Sequence, residues 1–354
     1  MKGKSMIKII LGILVFFIII IGSYILFMIV TDYKPESEIK INIENNKKRY
    51  IKNKDEISIT TFNIGYCGTD KDIDFFMDGG TQSRSISKEK TLENLNGVIS
   101  ELESLNSDIY FLQEVDKRAT RSYKINEYET IKEKFKTYGF TFAINYKVPW
   151  VPIPISKPHG QVLSGLTTMS KYYIKESTRY DLPGKESFLV QLGELDRCIM
   201  VNKIPIKKYK DLVLVNAHLS AYDKGGKIRK EQLGFLSEFL ENEYNKGSYV
   251  VVGGDWNQQI PGTHFTSFKT TQQKPNWLQD IPKDFKPKGF RWAYDKEVPT
   301  SRTMDITYKK GENLLSVIDG FLVSDNVDII DVSGKNLEFR HTDHNPVTIK
   351  LMLK

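Results

Sequence analysis

Val250-Val-Val-Gly-Gly-Asp-Trp-Asn257 is a short apolar run that passes through two glycines and then delivers an aspartate and an asparagine two positions apart. An apolar run of this length bounded by glycine reads as a buried strand. On an extended chain residues two apart point the same way, and glycine lets the backbone approach a ligand closely. Alone, the block reads equally well as a Gly-Asp turn closing a hairpin. It has company: Thr61-Phe-Asn-Ile64, Phe111-Leu-Gln-Glu-Val-Asp116, Val215-Asn-Ala-His-Leu219, Val317-Ile-Asp319 and Thr342-Asp-His-Asn-Pro-Val347. Each joins an apolar run to polar residues fit for metal or phosphate. Together they describe strand ends converging on one site, with a divalent metal beside paired histidines.

The surrounding patterns support this. Ile57-Ser-Ile-Thr-Thr-Phe-Asn63 alternates apolar and polar residues, as a half-buried strand does. Apolar residues at Leu92, Leu95, Val98, Ile99, Leu102 and Leu105 have the spacing of an amphipathic helix. Asp108-Ile-Tyr-Phe-Leu112 then reads as a buried strand delivering Glu114, a carboxylate that needs a partner or an ion. Leu212–Asn216 delivers His218, and a helix over Ile228–Tyr244 leads into Tyr249–Val252. Strands alternating with helices predict an α/β fold. Residues 258–315 hold five prolines among scattered aromatics and little periodicity, which predicts a loop layer over the site.

The blocks and their order resemble the endonuclease/exonuclease/phosphatase family, the deoxyribonuclease I-like fold, over roughly residues 55–354. The resemblance implies a four-layer α/β sandwich of two facing mixed β-sheets with helices outside. It implies metal-assisted phosphoester hydrolysis, with Asn63, Glu114 and Asp343 at the metal and Asp255 aligning the attacking water. Asn257 would contact the phosphate, His218 would bind it from the opposite side, and His344 would pair with Asp319. Mg²⁺ suits an oxygen site that keeps several waters, with Mn²⁺ as a substitute. Arg197 and Arg302 are candidates to fork a phosphate; for Arg197 a surface ion pair with Asp196 or Glu194 is the alternative, and Arg302 has a similar split. Trp292 is a candidate pocket residue, with a core position as its alternative.

At the N-terminus, Ile9–Val30 is a run of 22 residues without a charge, roughly 33 Å as a helix and enough to cross a hydrocarbon core. Lys2, Lys4 and Lys8 precede it, which predicts a cytoplasmic N-terminus and an extracytoplasmic domain. A cleaved signal peptide has a shorter apolar region and a small-residue cleavage site, and Met28-Ile-Val-Thr-Asp32 offers none. The expected organisation is a basic cytoplasmic end (1–8), a transmembrane signal anchor (9–30), a polar tether (31–54) and a catalytic domain (55–354), as in a membrane-anchored bacterial member of the family.

The net charge of +7 lies mostly in the first 54 residues, which hold 10 Lys/Arg against 4 Asp/Glu. The remaining chain is nearly neutral, at 41 against 40, and lacks the strong basic footprint of a general nucleic-acid binder. With the anchor, this orders the substrates: a phospholipid head group first, then extracellular DNA or RNA, or a sugar or inositol phosphate. The reading from another class is a membrane-tethered receptor without chemistry. Such a protein should have lost one of Glu114, His218, Asp255 or His344, and all are present. Cys67 and Cys198 are expected to be unpaired core residues, with a disulfide as the alternative.

Overall fold

The apolar N-terminal run lies within one helix, α1 (Lys2–Thr31), in which an 18-residue window within Lys4–Thr31 has a mean hydropathy of 3.1. This is long and apolar enough to cross a bilayer. The structure, a computed structural model, describes residues 2–52, 54–223 and 225–354; Met1 of the expected cytoplasmic end and Asn53 of the expected tether lie outside them.

After α1 the chain forms β1 (Glu38–Lys40), β2 (Ile57–Asn63), α2 (Lys88–Leu105), β3 (Ile109–Asp116) and α3 (Glu127–Lys134). Then come β4 (Gly139–Val151), β5 (Gly160–Ser170), β6 (Glu176–Asp181), α4 (Phe188–Gln191), β7 (Cys198–Ile204) and β8 (Leu212–His218). Helix α5 (Lys227–Asn245) leads to β9 (Tyr249–Asp255), and the chain closes with β10 (Phe290–Ala293), β11 (Asp319–Ser324), β12 (Val327–Gly334) and β13 (Val347–Leu353).

These strands build two sheets, a seven-stranded one in the order β1-β6-β7-β8-β9-β11-β10 and a six-stranded one in the order β12-β13-β2-β3-β5-β4. Both are mixed: β8 and β9 run parallel in one, β2 and β3 in the other, and their other neighbours are antiparallel.

The sheets face each other because both faces of their central strands are apolar. Ile59, Phe111, Leu214, Val251, Phe321 and Ile349 meet between them in one buried cluster. The alternate residues point outward, as the two-residue period of a strand requires. Val213, Val215, Val250 and Val252 pack on Leu233, Leu236 and Leu240 of α5. Tyr110 and Leu112 pack on Leu95, Val98 and Leu102 of α2 and Ile131 of α3. Helix α2 starts where Ser87 accepts a hydrogen bond from the Lys90 amide at 3.1 Å, and it stops at Asn106, whose φ of +46° ends the helical turn.

Two regions differ from expectation. The polar stretch before the domain does not hang free along its whole length: β1 adds to the sheet edge opposite Thr178–Tyr180, and Ile51 is buried in the inter-sheet core. Too polar to form a core of its own, it borrows backbone pairing from β6. Residues 258–315 are mostly irregular, as expected, but Phe290–Ala293 joins the seven-stranded sheet beside β11. Cys67 and Cys198 are both buried and free.

Phe111 is wholly buried between the sheets. Phe111→Ala is expected to cost about 3–5 kcal/mol, the range for truncating a core aromatic, read as a shift in the urea midpoint of the detergent-solubilised chain. A shift equivalent to less than about 1 kcal/mol would mean that the inter-sheet layer is not packed as described.

Candidate active site

Register positions the site. Strand β9 lies between β8 and β11, and Asp255 at its end is paired with His218 on one side and Asp319 on the other. Gly254 makes this possible. It holds a φ of +154°, and a Cβ there would lie 1.9 Å from the Ala217 carbonyl oxygen, so a side chain would force β8 and β9 apart. In the other sheet Asn63 is paired with Gln113 at the ends of β2 and β3. The segment Thr342–Pro346 enters beside them, since Val347 of β13 pairs with Thr61.

His344 joins the two halves. Its Nδ1 lies 2.8 Å from Asp319 Oδ2, and its Nε2 lies 3.7 Å from Asp255 Oδ2 and 3.9 Å from Asp343 Oδ2. His218 Nε2 approaches the same Asp255 oxygen at 3.5 Å. Asn63 Nδ2 donates to Asp255 Oδ2 at 3.0 Å and to Glu114 Oε1 at 3.2 Å. Its Oδ1 accepts from the Gly65 amide at 3.0 Å, so Asn63 turns its NH₂ group, and not an oxygen, toward the carboxylates.

Glu114 is delivered by a β-bulge. The pairing of β3 with β5 breaks between Leu112 and Val115, and Glu114 takes a φ of +55°. A bulge re-aims a side chain by locally breaking the ladder, and a non-glycine residue at positive φ is strain of the kind found at functional sites. Asn257 has the same signature, with φ +51°; its amide NH₂ donates to Leu219 O at 2.8 Å and its backbone N–H to Asp255 Oδ1 at 2.9 Å.

Charge in this cluster is unbalanced. Burial raises the pKa of Glu114, with Asp343 adding to the rise and Arg121 opposing it. Burial, reinforced by Asp319, pushes Asp255 up to about 6. Burial pulls His344 down, but the charges of Asp319, Asp255 and Asp343 outweigh it and hold the imidazolium well above the usual range. His218 goes the other way: burial, Arg197 and His344 all disfavour its charged form. The surroundings thus favour the charged form of His344 and the neutral form of His218.

Atoms of Asp255, Asp319 and His344 able to bind a metal lie within 4.8 Å of one another, and Asp319 Oδ1 is buried without a partner. A buried carboxylate raised by a neighbouring one, as Asp255 is by Asp319, with an unpartnered oxygen beside it, is what a divalent cation would relieve. The residues fit a metal such as Mg²⁺ or Mn²⁺.

Glu114, His218, Asp255, Asn257, Asp343 and His344 line a cavity of about 380 Å³, with Asn63 and Asp319 buried behind it. Arg197 lines it too. Neither Asp196 nor Glu194 is within ion-pair distance, and its nearest hydrogen bond is a long one of 3.5 Å to His218 O. Two other expected residues are placed elsewhere. Trp292 lies on β10 and packs edge-on against Trp256 at 4.7 Å under the α5 face, away from the cavity; the apolar outer face of β10 takes it there. Arg302 reaches the cavity wall, but its guanidinium donates to the carbonyls of Asp70, Ile73 and Thr303 at 2.7, 3.0 and 3.1 Å. It clamps the loop after β2 and has little left for a phosphate.

Two residues with no expected role stand here, Arg121 and Thr69. Arg121 stacks on Tyr66 at 3.9 Å, is held by Asp116 at 3.0 Å and stands 3.8 Å from Glu114. Thr69 donates to Asp343 Oδ1 at 2.6 Å. A buried Asp116 seeking a cation was the available signal for Arg121; nothing in the sequence marks Thr69.

No model of a known protein family matches the sequence, and no curated protein does. Solved structures match over most of the chain. An endonuclease/exonuclease/phosphatase protein from Beutenbergia cavernae is 14% identical with a TM-score of 0.56, covering 84% of this chain and 72% of its own. The chain has the endonuclease/exonuclease/phosphatase fold. The human Nocturnin catalytic domain with bound sulfate matches at 15% identity and TM-score 0.53, covering 89% and 97% of the two chains. ANGEL2, a 2′,3′-cyclic phosphatase, bound to adenosine-2′,3′-vanadate, matches at 16% and 0.54, covering 89% and 99%. On this fold the sheet ends gather Asp255, Asp319 and His344, a cluster that could hold a metal ion.

At the rim, Tyr222 OH donates to Asp78 Oδ1 at 2.7 Å. Burial pushes Asp78 up to about 6 from an ordinary 3.8. The folded protein therefore keeps this proton to higher pH than the unfolded chain, and ionisation of Asp78 weakens the fold as pH rises from about 4 to about 6. Asp78→Asn should remove that part of the slope, no more than about 3 kcal/mol, in urea midpoints measured across this range. An unchanged slope would contradict the burial of Asp78.

Proposed function

We propose that this chain is a membrane-anchored phosphoesterase that hydrolyses a phosphoester by attack of water aligned at Asp255, with Mg²⁺ or Mn²⁺ as cofactor. The observation that carries this is the convergence of Asp255, Asp319 and His344 at the sheet ends beside Glu114 and Asp343.

Glu114 and Asp343 would hold the cation. Asn63 would join them after a half-turn of its amide, which exchanges its NH₂ for Oδ1 at the loss of the Gly65 bond. The bound cation would polarise the phosphoryl oxygen and offset charge on the leaving group. Asp255, ionised above about pH 6, takes a proton from water as the water oxygen bonds to phosphorus and the phosphorus–oxygen bond to the leaving group breaks. His344, kept charged and oriented by Asp319, donates a hydrogen bond to the phosphoryl group. Neutral His218 and the Asn257 amide bind the phosphate from the other side, and Arg197 supplies charge at the cavity wall.

The Asp255–Asp319–His344 cluster is a second place for the cation. Against it stands the 2.8 Å bond from His344 Nδ1 to Asp319, which spends one metal-binding atom of each residue on the other.

In this proposal α1 crosses the membrane over residues 9–30, and Lys4 and Lys8 keep its start cytoplasmic. The domain from residue 55 works on the outer side, with the polar stretch before it partly pinned by β1. For the substrate, the similar structures favour the alternatives over lipid, since the activity named among them is that of a 2′,3′-cyclic phosphatase. A nucleotide or sugar phosphoester is therefore preferred on fold likeness. A lipid substrate needs an observation of its own.

Asp255→Asn should lower kcat on the order of 10²–10⁴-fold, the range for loss of a general base, in phosphate-release assays of the solubilised protein. Wild-type activity should vanish in EDTA and return with Mg²⁺. Glu114→Gln should weaken Mn²⁺ binding by about tenfold or more by calorimetry. Full activity of Asp255→Asn, or activity indifferent to EDTA, would sink the proposal.

A further inference from the structure

Beside the mouth of the cavity stand apolar side chains that no other described residue covers. Trp150, Ile153 and Ile155, at and beyond the end of β4, are 41%, 56% and 91% exposed; Phe188, Leu189 and Val190 of α4 are 62%, 59% and 49% exposed. Soluble surfaces rarely gather side chains of this size in one place. Ile153 and Val190 also line the cavity that holds Glu114 and Asp255, so the patch is the rim of the site itself.

Helix α1 is docked against this rim. Met28 is 3% exposed and packs with Tyr146, Val148 and Leu192, with Tyr24 and Ile29 at its side and Val151 and Leu195 joining from the domain. Tyr24 OH donates to the Trp150 carbonyl at 3.0 Å. Tyr24 lies about 10 Å along the helix from its end at Thr31. If the hydrocarbon core begins at Ile9, its roughly 30 Å ends near residue 28, so Tyr24 is below the outer surface and Trp150 is bonded to it at that depth. A domain bonded to its anchor there must dip its adjoining loop into the bilayer. The adjoining residues have the apolar character this demands, with a tryptophan where interfacial aromatics gather. Depths of about 5–10 Å are usual for elements lying in an interface. Lys147 and Lys157 flank the segment and suit anionic head groups.

We propose that the 150–155 loop and α4 are embedded in the outer face of the bilayer that α1 crosses, so that the cavity opens onto the membrane and takes its phosphoester from a lipid head group. This rests on the anchor and phosphoesterase readings above. It names the observation that fold likeness alone does not supply for a lipid substrate.

The test uses the full chain in vesicles of phosphatidylcholine and phosphatidylglycerol. Ile155→Cys, labelled with an environment-sensitive fluorophore, reports depth; Cys67 and Cys198 are buried and do not compete for label. Quenching by bromine-bearing lipids and protection from aqueous iodide are expected, whereas the reverse overturns the docking. Ile155→Asp combined with Leu189→Asp, neither of which lines the cavity, should slow hydrolysis of the vesicle lipid by roughly tenfold or more. Hydrolysis of soluble bis(p-nitrophenyl) phosphate should be unchanged. Equal loss on both substrates, loss on neither, or wild-type protein that cleaves only the soluble ester overturns the lipid assignment. Failure on both substrates by the wild type is instead failure of the phosphoesterase reading, and the fluorophore still decides the docking.

Discussion

Carboxylates within reach of one another, Asp255 and Asp319 buried and Glu114 and Asp343 partly so, are the constraint on which the rest of this structure depends. Asp255 and Glu114 share the Asn63 amide, and His344 lies against Asp255, Asp319 and Asp343. Burying this much negative charge is unfavourable unless cations are brought to it. The fold brings some: Arg121 stands at Glu114, and the charged His344 lies among the other three. These do not restore Glu114 or Asp255 to the ordinary carboxylate range. That residual imbalance is the physical argument for a metal, independent of any likeness to other proteins.

Strand register concentrates the charge. A one-residue slip of β9 would carry Asp255 to the other face of its sheet and separate it from His218 and Asp319. The apolar partners of β9 resist that slip, because Val251 and Val252 are committed to the inner and outer layers. Core packing and site geometry are therefore one specification. The positive φ at Glu114 and at Asn257 is borne inside a framework buried on both faces.

Much of this is legible in the sequence because His218, Asp255, Asp319 and Glu114 each follow an apolar run: His218 and Asp255 end their strands, Glu114 lies near the end of β3, and Asp319 opens β11, which runs antiparallel to β9. The alternation of strands and helices gives the α/β class, and the two facing sheets with helices outside come from the family resemblance. What is not legible depends on partners remote in sequence. Arg302 has the composition of a phosphate ligand, but its fate is set by the carbonyls of the loop after β2, more than 200 positions earlier. Trp292 lies in a stretch without periodicity, so its four-residue strand and outward direction come from pairing with β11 and not from local pattern. Glu38–Lys40 is polar by every local measure and gains its structure from an available sheet edge.

Helix α1 and the site belong to one arrangement, because the last turns of α1 pack on the same strand, β4, whose end forms the cavity rim. The account's central claim remains the cation at the carboxylate cluster. Its most direct test is anomalous diffraction from crystals of the full chain grown with Mn²⁺. The account predicts a peak bonded to Glu114, with Asp343 and a turned Asn63 beside it. A peak between Asp255, Asp319 and His344, or none in crystals whose dissolved protein hydrolyses phosphoesters in EDTA, would contradict it.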